Sequence, residues 1–223
     1  MVRAIRAGLR KAADPVRARG MRAYMKSEMP FRGVAAPIQR QLWRAAFAQW
    51  PLGSFETWRA VALELWRGAT FREERYAAVG LTAARRYQDF RTFAAMPMFE
   101  EMIVTGAWWD YVDVVASHQV GEVLRREPRR MKPLMRRWAR DANMWKRRAA
   151  ILSQLGSKKE TDLALLYACI GPNLDDREFF IRKAIGWALR QYAWTDPHEV
   201  RRYVREHRDR LSPLSVREAT RNL

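Results

Sequence analysis

Five stretches of this chain echo one another at a nearly fixed interval, and that interval constrains the fold more than any other feature. They are RYAAV from Arg75, VDVVA from Val112, RRAAI from Arg147, RKAIG from Arg182 and REATR from Arg217, offset by 37, 35, 35 and 35 residues. Their third column holds Ala77, Val114, Ala149, Ala184 and Ala219, small apolar residues of the kind expected where neighbouring helices pack closely. Strand signals are scarce: there is no Asn-Gly or Asp-Gly hairpin turn and no sustained alternation of apolar and polar residues.

Helix starts are well marked. Thr70 with Glu73 reads as a capping box before FREERYAAVGLTAARR. Asp196-Pro197-His198-Glu199 offers an N-cap, a first-turn proline and an acidic third residue, and Ser212-Pro213 offers the same opening to a last helix. Prolines at 30, 37, 51, 97, 128, 133 and 172 divide the rest into segments of helical length. A period in the mid-thirties to forties with two helices per repeat is the mark of HEAT-type solenoids, and the Trp, Gly, Tyr and Pro pattern of tetratricopeptide arrays is missing. The expectation is an all-α chain, a HEAT-like repeat α-solenoid of antiparallel helix pairs. It forms a single domain over residues 1–223 with about a dozen helices, and second helices line a concave basic groove.

The groove's charge follows from composition. Lys and Arg number 42 against 24 Asp and Glu, a formal net charge of +18 spread along the whole chain. Such a surface attracts polyanions, nucleic acid ahead of anionic membrane. The longest uncharged stretch, Leu163 to Leu174, has 12 residues, too few to span a bilayer. The N-terminal MVRAIRAGLRKAADPVRARG lacks the continuous apolar core of a secretion signal and reads as an amphipathic first helix. One cysteine, Cys169, excludes disulfide staples, a four-cysteine iron–sulfur cluster and a cysteine-rich zinc site. It fits a small core residue, in a bacterial-type cytoplasm or a nucleus. His118, His198 and His207 show no metal-ligand spacing, and neither a phosphate-binding glycine loop nor a serine nucleophile elbow is present. No metal and no cofactor are expected.

The polar columns of the repeat carry the functional signal. The first reads Arg75, Val112, Arg147, Arg182, Arg217; it could track a phosphate backbone or form an intramolecular arginine ladder. The second reads Tyr76, Asp113, Arg148, Lys183, Glu218, and Asp113 breaks its basic run. Trp109 lies four residues before Asp113 on the same helical face, and Trp187 lies four residues after Lys183. Gly80, Ser117 and Leu152 match the Trp187 position in other repeats, so repetitive packing does not explain that indole. A carboxylate between indoles suits a cationic ligand. N3- or N7-alkylated purines are such cations and are good leaving groups. What their removal needs is stabilisation of an oxocarbenium-like sugar and an attacking water, work a carboxylate can do. Asp110 is the rival, but its column holds Glu73, Trp145 and Phe180, which points to a partly buried face.

At these residues the chain resembles the DNA alkylation repair glycosylases of the AlkD type, built from HEAT-like repeats. The resemblance runs through YMKSEMPFRGVAAPIQR, GAWWDYVDVVA, MWKRRAAI and EFFIRKAIGWALRQY. It implies excision of cationic N3- and N7-alkylpurines from duplex DNA without a metal and without drawing the base into a deep pocket. It implies Trp109, Asp113 and Trp187 as the catalytic cleft and Arg148 as a contact to the DNA backbone, with Arg190 a weaker match of the same kind. Lys183 joins them as a DNA-binding residue through its place in the second column. The resulting expectation is a monomer acting on duplex DNA in the bacterial cytoplasm, at the nucleoid, and not on membranes. The alternative is a non-catalytic HEAT-repeat scaffold binding nucleic acid or an acidic protein.

Overall fold

The computed structural model describes residues 1–223. It contains fourteen α-helices, a few short 3₁₀ turns and one π-helical segment, with no strand. The chain divides into two compact units, Met1–Arg91 and Thr92–Leu223.

The first unit holds α1 (Val2–Lys11), α2 (Pro15–Met25), α3 (Ala36–Gln49), α4 (Phe55–Arg67) and α5 (Arg72–Ala83). Helix α1 buries Val2, Ile5 and Leu9, the three-to-four spacing of an amphipathic helix. Its core includes Trp58, Leu65, Trp66 and Leu81, all essentially inaccessible. The capping box expected at Thr70 and Glu73 does not form. Phe71 occupies the N-cap of α5 without a side-chain bond. The Glu73 carboxylate turns instead into the Arg32–Val34 loop, accepting the backbone N–H groups of Arg32, Gly33 and Val34 at 3.0, 2.9 and 3.2 Å. Three loop donors with no helical partner, two of them buried, outweigh a single cap. Glu74 takes over the N–H of Thr70 at 3.4 Å. The helix also stops at Ala83, short of the Arg85 and Arg86 that its sequence pattern included.

The second unit comprises α6 (Met96–Gly106), α7 (Trp109–Val114), a π-helical segment (Val115–Val120), α8 (Gly121–Arg126), α9 (Pro128–Trp138), α10 (Met144–Leu152), α11 (Leu163–Ile170), α12 (Phe179–Ala193), α13 (Pro197–Glu206) and α14 (Pro213–Ala219). Sequence capping signals hold here: Asp196 accepts from the Glu199 N–H at the start of α13, and Ser212 from the Ser215 N–H at the start of α14. Asn143 and Asp162 cap α10 and α11 in the same way. Helices α7, α10, α12 and α14 pack in succession as one layer, while α9, α11 and α13 back it. Tyr167 of α11 stacks on Tyr203 of α13 with centroids 4.2 Å apart. This is an α-solenoid-like stack of helix pairs.

Two expectations about the repeat need correction. Pro133 does not end a helix; it lies inside α9 on an exposed face, where the one forfeited hydrogen bond is open to water. Val114 does not share the close-packing column: it is 36% exposed, whereas Ala77, Ala149, Ala184 and Ala219 are fully buried. In α7 the buried residues are Tyr111, Val112 and Asp113, followed by Val115 and Ala116. A π-helical segment, Val115–Val120, follows directly after Val114.

Candidate active site

The second polar column is the organising feature of the site, and its members pair with one another. Asp113 on α7 and Arg148 on α10 are one repeat apart. The Arg148 Nε donates to Asp113 Oδ1 at 2.7 Å and Nη2 to Oδ2 at 2.8 Å, a bidentate fork. Arg148 Nη1 donates to the carbonyl of Phe180, at the start of α12. The pair is buried, with Asp113 at 9% and Arg148 at 4% exposure. Burial pushes the Asp113 carboxyl above the ordinary aspartate range, and the Arg148 hydrogen bonds and charge hold it back only in part, while nearby Asp110 adds to the rise.

The surroundings fix this pair in place. Ser117 Oγ donates to the Asp113 carbonyl at 2.6 Å across the first turn of the π-helical segment. Phe180 is tied into a ring cluster with Trp108 and Trp145, centroids 5.5 and 5.1 Å away. Those two tryptophans are packing residues. Trp109 and Trp187 differ: both are half-buried, and neither ring packs against another aromatic ring. Trp109 opens α7 one turn before Asp113 and shares its face.

Lys183 and Arg190 form a second cluster with Glu218. Lys183 Nζ lies 2.9 Å from Glu218 Oε1 and Arg190 Nη1 lies 2.9 Å from Oε2. These side chains are 38% and 22% exposed, and that of Glu218 12%. The Lys183 hydrogen bond, with the charges of Lys183 and Arg190, lowers the Glu218 carboxyl below the usual range against the effect of burial. Gly186 makes the arrangement possible: a Cβ there would sit 2.4 Å from Glu218 Cβ and 2.9 Å from the Ser215 carbonyl.

All three cations assigned to DNA from the sequence are therefore engaged by a carboxylate in the free protein. The first column resolves as internal wiring where its arginines are half-buried. Arg147 reaches Asp176 at 3.0 Å and the carbonyls of Asp141 and Ala142, and Arg182 donates to the Asp176 carbonyl at 2.9 Å. Arg217 alone among the last three stays exposed. Asp110 is half-buried and accepts the N–H of Tyr111 at 3.1 Å, and His118 is exposed. Cys169 lies in the core, its thiol pushed up to about 12 by burial. No group of three or more His, Cys, Asp or Glu is placed to hold a metal ion.

Sequence reasoning missed Glu218, Phe180 and Gly186 as parts of the site. For Glu218 a signal was present. Opposite charges one repeat apart in one column, Asp113 with Arg148 and Lys183 with Glu218, mark ion pairs between successive helices.

Comparison with known proteins places the chain in a family. Residues 5–223 match the family model of DNA alkylation repair enzymes. A predicted DNA alkylation repair enzyme from Enterococcus faecalis superposes with a TM-score of 0.84 at 31% identity, covering 95% of this chain and 96% of its own. The smu.31 protein of Streptococcus mutans UA159 shares the fold, with a TM-score of 0.62 at 15% identity, over 84% of this chain and 96% of its own. No functionally curated protein matches. The all-helical stack thus defines a repeat protein of the α-solenoid class. The chain belongs to the DNA alkylation repair enzyme family. Its role is in alkylation repair and its partner is DNA. No helix is long and apolar enough to cross a membrane.

Proposed function

We propose that this enzyme is a DNA glycosylase that hydrolyses the N-glycosidic bond of cationic N3- and N7-alkylated purines in duplex DNA. The observation that carries the reading is the buried Asp113 carboxylate, held by both oxygens in the Arg148 fork. A carboxylate removed from water interacts strongly with a developing positive charge. Arg148 keeps its orientation fixed and favours the ionised form.

In this mechanism the C1′–N bond breaks with its electron pair passing to the alkylated base, which leaves neutral. The deoxyribose becomes oxocarbenium-like, and Asp113 stabilises it. Water adds to C1′ and gives up a proton, with Asp113 as acceptor, leaving an abasic site. Trp109 and Trp187 supply the aromatic faces that favour a cationic base over a neutral one. Three of the five Arg148 N–H groups are committed within the protein, which leaves two for a phosphate near the lesion. Lys183 and Arg190 are the other backbone contacts, made only where a phosphate beside the lesion displaces Glu218 from them. The base is not drawn into a deep pocket, and water is the only co-reactant. The enzyme works as a monomer along a concave basic groove, on nucleoid DNA in the bacterial cytoplasm.

The test is incubation of the unmutated protein with a duplex carrying one 7-methylguanine, followed by assay of free base and of abasic strand. Release of the base is the expected result. Salt-sensitive duplex binding without any base release would replace the glycosylase reading with that of a non-catalytic scaffold.

A further inference from the structure

Helix α12 presents Lys183, Trp187 and Arg190 at i, i+4 and i+7, one continuous face. Two positive charges therefore bracket the indole assigned to the cationic base. Left uncompensated, they would repel that base and would also grip phosphates regardless of damage. Glu218 from α14 takes one hydrogen bond from each of them, one on each carboxylate oxygen. Its placement is built in: Gly186 lets the two helices touch at Glu218 Cβ, and Ser215 Oγ donates to the Arg182 carbonyl at 3.0 Å. Lys183 and Arg190 are partly open to solvent. A phosphate can therefore compete with Glu218 for them.

We propose that Glu218 is a specificity-determining positioning residue, which withholds Lys183 and Arg190 from DNA phosphates and offsets one of their two charges beside Trp187. The specificity half of this proposal rests on the glycosylase reading; the withholding half does not. Glu218 keeps undamaged duplex weakly held and leaves the indole face free to select a cation. Arg148 is not regulated in this way, because its carboxylate partner belongs to the chemistry itself.

The experiment measures affinity for undamaged duplex against salt concentration. Glu218→Gln keeps the shape and removes the charge. It should bind more tightly at low salt, with a log–log salt slope steeper by roughly 1.8 for two added phosphate contacts. Its advantage over the unmutated protein should shrink roughly tenfold between about 50 and 200 mM salt. In single-turnover excision of 7-methylguanine the same variant should saturate at lower enzyme concentration but reach a lower maximal rate, and Glu218→Asp should recover part of the loss. An unchanged or weaker affinity with an unchanged slope overturns the proposal. Should Glu218→Gln loosen α14, the triple variant Lys183→Gln, Arg190→Gln, Glu218→Gln decides the matter. Its salt slope should equal that of the unmutated protein, and a slope shallower by roughly two contacts would show that both cations already touch DNA. Absence of base release by the unmutated protein would sink the glycosylase reading while leaving this binding comparison intact.

Discussion

The second column of the repeat contains two ion-paired clusters built from the same two charges in opposite order. Asp113 precedes Arg148, and Lys183 precedes Glu218, each pair separated by one repeat of 35 residues. In the first cluster both partners are buried and the contact is a bidentate fork backed by the Phe180 carbonyl. In the second, one carboxylate serves two half-open cations. The first therefore holds a carboxylate in low dielectric, where its charge acts at full strength. The second holds cations where water and salt screen them. On the proposed reading, the same charges make a fixed reactive group in one place and an exchangeable contact in the other. What differs is burial.

The largest expected effect follows from that burial. Arg148→Ala leaves Asp113 as an uncompensated buried charge and should lower stability by about 3–5 kcal/mol, measured by denaturant unfolding. The same change should move the pH dependence of excision. Burial already raises the Asp113 carboxyl, and Arg148 is what pulls it back. In the proposed mechanism the ionised form is the active one, so activity should be lost as pH falls through that raised value. Removing Arg148 should shift this acid limb to still higher pH. A limb that stays in place would mean that the titrating group lies elsewhere. Next comes Gly186→Ala, whose Cβ meets Glu218 Cβ and the Ser215 carbonyl; it should cost about 1–3 kcal/mol by forcing α14 away from α12. Smaller still are Trp109→Ala and Trp187→Ala. Each should reduce preference for an N7-methylpurine over a neutral base of the same shape by roughly 0.5–2 kcal/mol, read from the ratio of excision rates or affinities.

The helix-pair architecture was legible from the repeat interval and from the caps at Asp196 and Ser212, because the caps are local and the interval recurs along the chain. The candidacy of Asp113, Trp109 and Trp187 was legible because they depart from a column or share a helical turn. The pairing of Arg148 was not, since net charge counts cations without saying which meet a carboxylate; only the alternation of sign along the column carried that information. The π-helical segment after Asp113 was not legible either. Nothing in VASHQV distinguishes it from an α-helical turn, and Val114, which the alanine column placed inside, lies exposed immediately before it. Likewise Glu73 satisfied a loop forty residues upstream, a partner that no capping pattern encodes.

The most direct test of the central claim is Asp113→Asn in single-turnover excision of 7-methylguanine from duplex DNA. Asparagine keeps the shape and one acceptor for Arg148 while removing the negative charge, so it isolates the electrostatic contribution. Losing one preorganised charge interaction typically lowers the rate by on the order of 10²–10³, and that is the drop expected here. Binding to undamaged duplex should hold or tighten, since a charge that repels phosphates has gone. Excision at the unmutated rate would contradict the account and move the chemistry to another carboxylate, with Asp110 the first to examine.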